Sequence, residues 1–87
     1  MALVFIPSQM RTLSEGKNRV EVEGTNVKQI IENLDLMYPG FSGRLLEDFK
    51  IKPSISIAVD GEITPMGLIE KVSENSEVHF LPAISGG

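Results

Sequence analysis

Val27-Lys28-Gln29-Ile30-Ile31-Glu32-Asn33-Leu34-Asp35-Leu36-Met37-Tyr38 is the stretch whose reading decides the fold. Val27, Ile30, Ile31, Leu34 and Tyr38 recur at spacings of three and four, which gathers them into one apolar stripe along a helix. Lys28, Gln29, Glu32, Asn33 and Asp35 take the other side, so this helix is to bury one face and solvate the other. Gly24-Thr25 ends the segment before it, and Thr25 stands where a helix cap is expected. Pro39-Gly40 stops the helix at its far end.

On both sides of this helix the apolar period changes to two. Ala2-Leu3-Val4-Phe5-Ile6 is a run of strand formers halted by Pro7, and Arg19-Val20-Glu21-Val22-Glu23 alternates charge with Val. The two are read as a hairpin across the polar loop 7–18, with Met10 and Leu13 pinning that loop to the core. Beyond the helix, Phe41 to Phe49 has room for a short helical turn through Leu45 and Leu46. Ile55, Ile57 and Val59 alternate with smaller residues, and Asp60-Gly61 is a dipeptide favoured in type I′ hairpin turns, which makes Glu62 to Thr64 a returning strand. Met66 to Asn75 reads as a connection anchored by Leu68, Ile69 and Val72. Glu77-Val78-His79-Phe80 alternates once more, and Pro82 is expected to end it as a central strand.

These elements predict an α+β chain with one main helix packed across one face of a mixed four- or five-stranded sheet, the β-grasp arrangement. Periodicity does not fix strand order, and a split βαβ fold satisfies the same stripes. With 87 residues there is material for a single core and none for a two-domain cleft. The expected division is a folded domain over 1–82 and a flexible tail over 83–87.

Composition narrows the chemistry. Eight basic against twelve acidic side chains leave a net charge of -4, which argues against nucleic acid as a partner. There is no Cys, so neither a disulfide framework nor a thiolate metal site is available. No run approaches membrane-spanning length and the first residues lack the pattern of a signal peptide, so a cytoplasmic protein with no membrane contact is expected. His79 is the single His, and with Val78 and Phe80 directed to the core it is expected to face outward toward a partner. Gly16-Lys17 lacks the rest of a phosphate loop and reads as a turn. Glu47-Asp48 and Glu70, Glu74 and Glu77 lack the spacing of a calcium loop and read as solvated faces. No enzyme active site, bound cofactor or metal is predicted.

The distinctive feature is Gly86-Gly87 behind the apolar lead Phe80-Leu81-Pro82-Ala83-Ile84. Two residues without a β-carbon pass through a narrow channel and accept whatever backbone angles a host requires. From Pro82 an extended tail reaches roughly 20 Å, enough to place a terminal carboxylate in another protein's active site.

The segment Val78 to Gly87 resembles the C-terminal signature of the MoaD/ThiS sulfur-carrier family of ubiquitin-like proteins. Tyr38-Pro39-Gly40-Phe41 with Arg44-Leu45-Leu46, and Ile57-Ala58-Val59-Asp60-Gly61-Glu62, are similar to the family's post-helix segment and central hairpin. Ser54-Ile55-Ser56 and Glu74-Asn75-Ser76-Glu77 depart from the pattern many members carry there. The resemblance implies chemistry performed on the chain: an E1-like activating enzyme of the MoeB/ThiF type uses ATP to adenylate Gly87, with Gly86 beside it. A sulfur donor then displaces AMP to leave a thiocarboxylate. A sulfur-accepting synthase consumes it, in cysteine or cofactor biosynthesis, including the small-subunit role in molybdopterin synthase. The ending Leu81 to Gly87 is nearer to the cysteine-forming carriers. Two alternatives stay open: a ubiquitin-like modifier joined through Gly87 to Lys side chains, and a plain β-grasp interaction domain. Alignment with the family also sends Val4 and Ile6 toward the helix. Leu3, Phe5, His79 and Leu81 then share the opposite face, and with Pro82 and Ile84 they form the expected partner interface.

Overall fold

The computed structural model of the protein describes residues 1–83. Seven strands and two α-helices follow one another: β1 (Ala2–Phe5), β2 (Arg19–Val22), α1 (Val27–Met37), α2 (Phe41–Leu45), β3 (Leu46–Glu47), β4 (Lys50–Ile51), β5 (Ile55–Val59), β6 (Glu62–Thr64) and β7 (Glu77–Pro82). Single 3₁₀ turns at Ser8–Met10 and Gly67–Ile69 complete the chain. Five strands form one mixed sheet in the order β2-β1-β7-β5-β6, in which only the central pair β1 and β7 is parallel. Helix α1 lies across one face, which gives the β-grasp fold and settles the strand order that periodicity left open.

The helix stripe is buried as its spacing requires: Val27, Ile30, Ile31 and Leu34 are fully enclosed and Tyr38 nearly so. They meet Ala2, Val4 and Ile6 from the first strand segment, Val20 and Val22 from β2, Ile57 from β5, and Val78 and Phe80 from β7. Burial of each large apolar side chain contributes about 1.5–3 kcal/mol, so this layer dominates the stability of a small domain. Gly24 lets the helix approach closely, since a Cβ there would stand 2.9 Å from the Ile30 side chain. At the other end the Asp35 carboxylate accepts from the N–H groups of Gly40 and Ser42, both at 3.0 Å, and so holds the turn that Pro39 begins.

Four expectations need correction. The helix is capped by Asn26, whose side-chain oxygen accepts the N–H of Gln29 at 2.8 Å, and not by Thr25. Thr25 is committed elsewhere: its N–H and hydroxyl both donate to Gln29 Oε1, and its carbonyl accepts from Val72. The helical turn after residue 41 ends at Leu45, and the chain then forms a tiny β3–β4 hairpin around Asp48-Phe49, both residues with positive φ. Ile69 is 68% exposed and anchors nothing, while Leu68 and Val72 do pack on the core. Finally, β7 continues through Pro82 although it is a central strand. Its pairing to β1 has already ended at His79, so Pro82 faces β5 alone and its missing N–H leaves no ladder bond unmade.

The turn at Asp60-Gly61 takes positive φ at both residues, as a type I′ hairpin demands. Asp60 also accepts the N–H of Glu77 and the hydroxyl of Ser76, which ties the start of β7 to the β5–β6 hairpin. The loop before β2 is held by Met10 and Leu13 against the core and by buried Ser14, whose hydroxyl donates to the carbonyl of Lys17 at 2.7 Å. Among the described residues no helix is long and apolar enough to cross a membrane.

Candidate docking face and tail root

Because side chains alternate along a strand, burying Ala2, Val4 and Ile6 under α1 turns Leu3 and Phe5 to the uncovered side of the sheet. The parallel register places Phe5 opposite His79 and Leu3 opposite Glu77. On β7, Val78 and Phe80 point into the core, which sends His79 and Leu81 to the same uncovered side as Phe5. Ala58 and Ile63 extend that face across β5 and β6, and Arg19 and Glu21 edge it on β2.

At its centre the rings of Phe5 and His79 stack face to face, with centroids 4.1 Å apart and planes within 8° of parallel. Such a pair contributes about 0.5–1.5 kcal/mol beyond its buried area and holds both rings in one orientation. His79 Nε2 lies 3.9 Å from a Glu77 carboxylate oxygen, a contact open to solvent and of small energetic weight. Leu81 is 37% exposed and Ile63 52% exposed, so the stack sits in a partly apolar, uncovered surface. An exposed apolar patch is the kind of surface on which proteins dock, which makes this face a candidate. Ser56 lies diagonal to His79 in the register, and no hydrogen bond joins them among the described residues. No group of three acidic or His side chains is placed to hold a metal ion among those residues either.

Leu3, Phe5, His79 and Leu81 therefore lie on one face of the sheet. Pro82 belongs to the other parity, opposite Ile55, and lies at the rim. Ile84, Gly86 and Gly87 lie outside the described residues. The last described hydrogen bond of the chain runs from the N–H of Ala83 to the carbonyl of Ser54 at 2.9 Å. Sequence reasoning missed what surrounds this point. A groove runs between the 7–10 turn and the end of β7, with Pro7, Met10, Ile55, Phe80, Leu81 and Pro82 as its apolar lining and Arg44 and Lys52 as its charged side chains. Its sequence signal was Arg44 and Lys52 on either side of the β3–β4 hairpin, which only the fold brings to the root of the tail.

Comparison with known proteins agrees with this geometry. The chain matches the ThiS family over residues 4–87. It is 29% identical to the sulfur carrier protein CysO of Mycobacterium tuberculosis over 89 aligned positions, covering 97% of this chain and 96% of that protein. It is 30% identical to small archaeal modifier protein 3 of Haloferax volcanii over 71 residues, covering 79% of this chain and 76% of the relative. Among solved structures, a chain in the crystal structure of the Amycolatopsis orientalis BexX/CysO complex superposes with a TM-score of 0.92 at 30% identity, each chain covered in full at 100%.

Proposed function

This chain belongs to the ThiS family, and from that premise we propose that it is a sulfur carrier whose Gly87 carboxylate is converted to a thiocarboxylate. The observation that supports this most is the extent of the family match, which runs through Gly86-Gly87 as well as the folded domain. The chain is then a substrate of other enzymes and not an enzyme itself.

A carboxylate resists nucleophilic attack because its negative charge is shared over both oxygens. An E1-like activating enzyme of the MoeB/ThiF type joins the Gly87 carboxylate to the α-phosphate of ATP and releases pyrophosphate. Hydrosulfide, or sulfur delivered at that oxidation level, attacks the acyl carbon; the carbon–sulfur bond forms, the bond to AMP breaks, and AMP leaves with its electron pair. The thiocarboxylate so formed is nucleophilic through sulfur, and a sulfur-accepting synthase takes it up. Cysteine biosynthesis is the favoured destination, given the relative named a sulfur carrier that this chain covers almost end to end.

The uncovered sheet face supplies the seat for the activating enzyme in this proposal. Leu81 lies on that face six residues before Gly87, so the docked chain can extend the carboxylate by roughly 20 Å from the surface that holds it. A second reading, conjugation of Gly87 to Lys side chains, is favoured by one observation, the 30% identity to a small archaeal modifier protein. Deletion of Gly87 tests the shared first step. ATP–pyrophosphate exchange by the cognate activating enzyme is expected with the intact chain and is lost on deletion, whereas unchanged exchange contradicts adenylation at Gly87.

A further inference from the structure

The groove at the tail root is anomalous in a chain with net charge -4: among the described residues its charged lining is Arg44 and Lys52, with no Asp or Glu. Neither cation is matched by a carboxylate among the described residues. Arg44 donates from one terminal nitrogen to the carbonyl of Gln9 at 3.1 Å, and no ion pair to Arg44 or Lys52 occurs among the described residues. The hydrogen bond to Gln9 orients the guanidinium along the 7–10 turn, and no other hydrogen bond from its side chain occurs among the described residues. Lys52 is half-buried at the start of the segment whose Ser54 carbonyl receives Ala83. The two charges thus share one groove with Ser54, whose carbonyl takes the last described hydrogen bond of the chain, over an apolar lining that includes Met10, Ile55, Leu81 and Pro82.

We infer that this groove is a second docking site, adjoining the Phe5–His79 face at Leu81, which takes a carboxylate-bearing segment of the activating enzyme. The inference rests on the sulfur-carrier or modifier reading, since both require an enzyme that acts on Gly87. Charge complementarity selects the occupant: two cations around an apolar floor fit a segment carrying Asp or Glu beside an apolar side chain. A fork-shaped guanidinium already held by one backbone bond is suited to bidentate pairing with a carboxylate. Gripping the tail at its root fixes the direction in which it leaves the fold, in addition to the affinity supplied by the sheet face. Charges in such positions act mainly on encounter and register, so the effect should depend on salt.

The test is ATP–pyrophosphate exchange by the cognate activating enzyme, with the full-length chain as varied substrate at low and high salt. Arg44→Glu with Lys52→Glu should raise KM by roughly tenfold or more at low salt, with the gap narrowing as salt screens the charges. The control Lys28→Glu with Lys71→Glu makes the same change in net charge on exposed positions away from the groove and should leave KM near that of the parent. The neutral pair Arg44→Gln and Lys52→Met, which retains side-chain bulk, should fall between, and melting curves confirm that each variant is folded. Equal KM values for the groove and control variants overturn the inference. So does a lowered KM, which would make the chain's own terminal carboxylate the occupant, or a wild-type dimer dispersed by the reversal, which would make it a second copy. Absence of exchange with the wild-type chain contradicts the activation reading instead, so the two failures are distinguishable.

Discussion

The two faces of the five-stranded sheet are written in alternate residues of the same strands. On β1, Ala2 and Val4 are closed under the helix while Leu3 and Phe5 stand half-open on the other side. On β7, Val78 and Phe80 are buried, whereas His79 and Leu81 reach solvent. The covered face is apolar, shielded by α1 and capable of supplying most of the folding free energy. The uncovered face keeps apolar and aromatic groups that contribute far less to folding, with its central rings held rigid by stacking on each other. A domain of this size can thus devote one parity of each strand to stability and the other to recognition.

Leu34→Ala is the strongest way to break that contrast. The side chain is fully enclosed between α1 and the sheet, and its truncation should cost about 2–5 kcal/mol by urea unfolding. Folded stability of small domains is itself only about 5–15 kcal/mol, so partial unfolding at ambient temperature is an expected extreme. Phe5→Ala probes the other face. It removes the stack on His79 and should weaken binding to the activating enzyme by about 2 kcal/mol, roughly thirtyfold. Its folding stability should fall by only about 1 kcal/mol. A large loss of stability with unchanged affinity would show that the faces have the opposite roles.

The smallest effect is expected at the polar edge of the covered layer. Lys17 Nζ donates to the Tyr38 hydroxyl at 3.0 Å, and this hydrogen bond, with the electrostatic attraction of the Tyr38 oxygen, holds the Lys17 ammonium above its ordinary value of 10.5. A raised value in the folded state means stability that is present below pH 10.5 and lost as pH climbs through the raised value. Tyr38→Phe keeps the buried ring and removes the hydroxyl. Its melting temperature should lie slightly below that of the parent at neutral pH, and the gap should close at strongly alkaline pH. A gap that widens there would reverse the sign assigned to this contact.

How much of this was legible in the sequence depends on the length of the signal. The stripe from Val27 to Tyr38 spans more than two helical turns and reports its buried face directly. The hairpin at Asp60-Gly61 carries the dipeptide its turn needs. By contrast β3 and β4 have two residues each, and Asp48-Phe49 lacks the glycine that marks such turns, so nothing local announced them. Thr25 and Asn26 are both competent caps, and the folded chain commits Thr25 to Gln29 and Val72 and leaves the cap to Asn26. Alternation showed that β1 has two faces but not which one α1 covers; that came from family resemblance, and burial of Val4 at 0% agrees. Arg44 and Lys52 stand eight residues apart with nothing local to link them, and only the fold places both in one groove with the end of β7.

The account rests on Gly87 as the site where sulfur is carried. The most direct measurement is the intact mass of the protein after incubation with ATP, its cognate activating enzyme and a sulfide source, followed by fragmentation. The account predicts replacement of one oxygen by one sulfur, localised to Gly87, and alkylation of that residue by a thiol-selective reagent. With no Cys to form a persulfide and only thioether sulfur in its four Met, the chain has no other acceptor for that atom. An unchanged mass, with Gly87 recovered solely in linkage to Lys side chains of other proteins, would contradict it and assign the chain to protein modification instead.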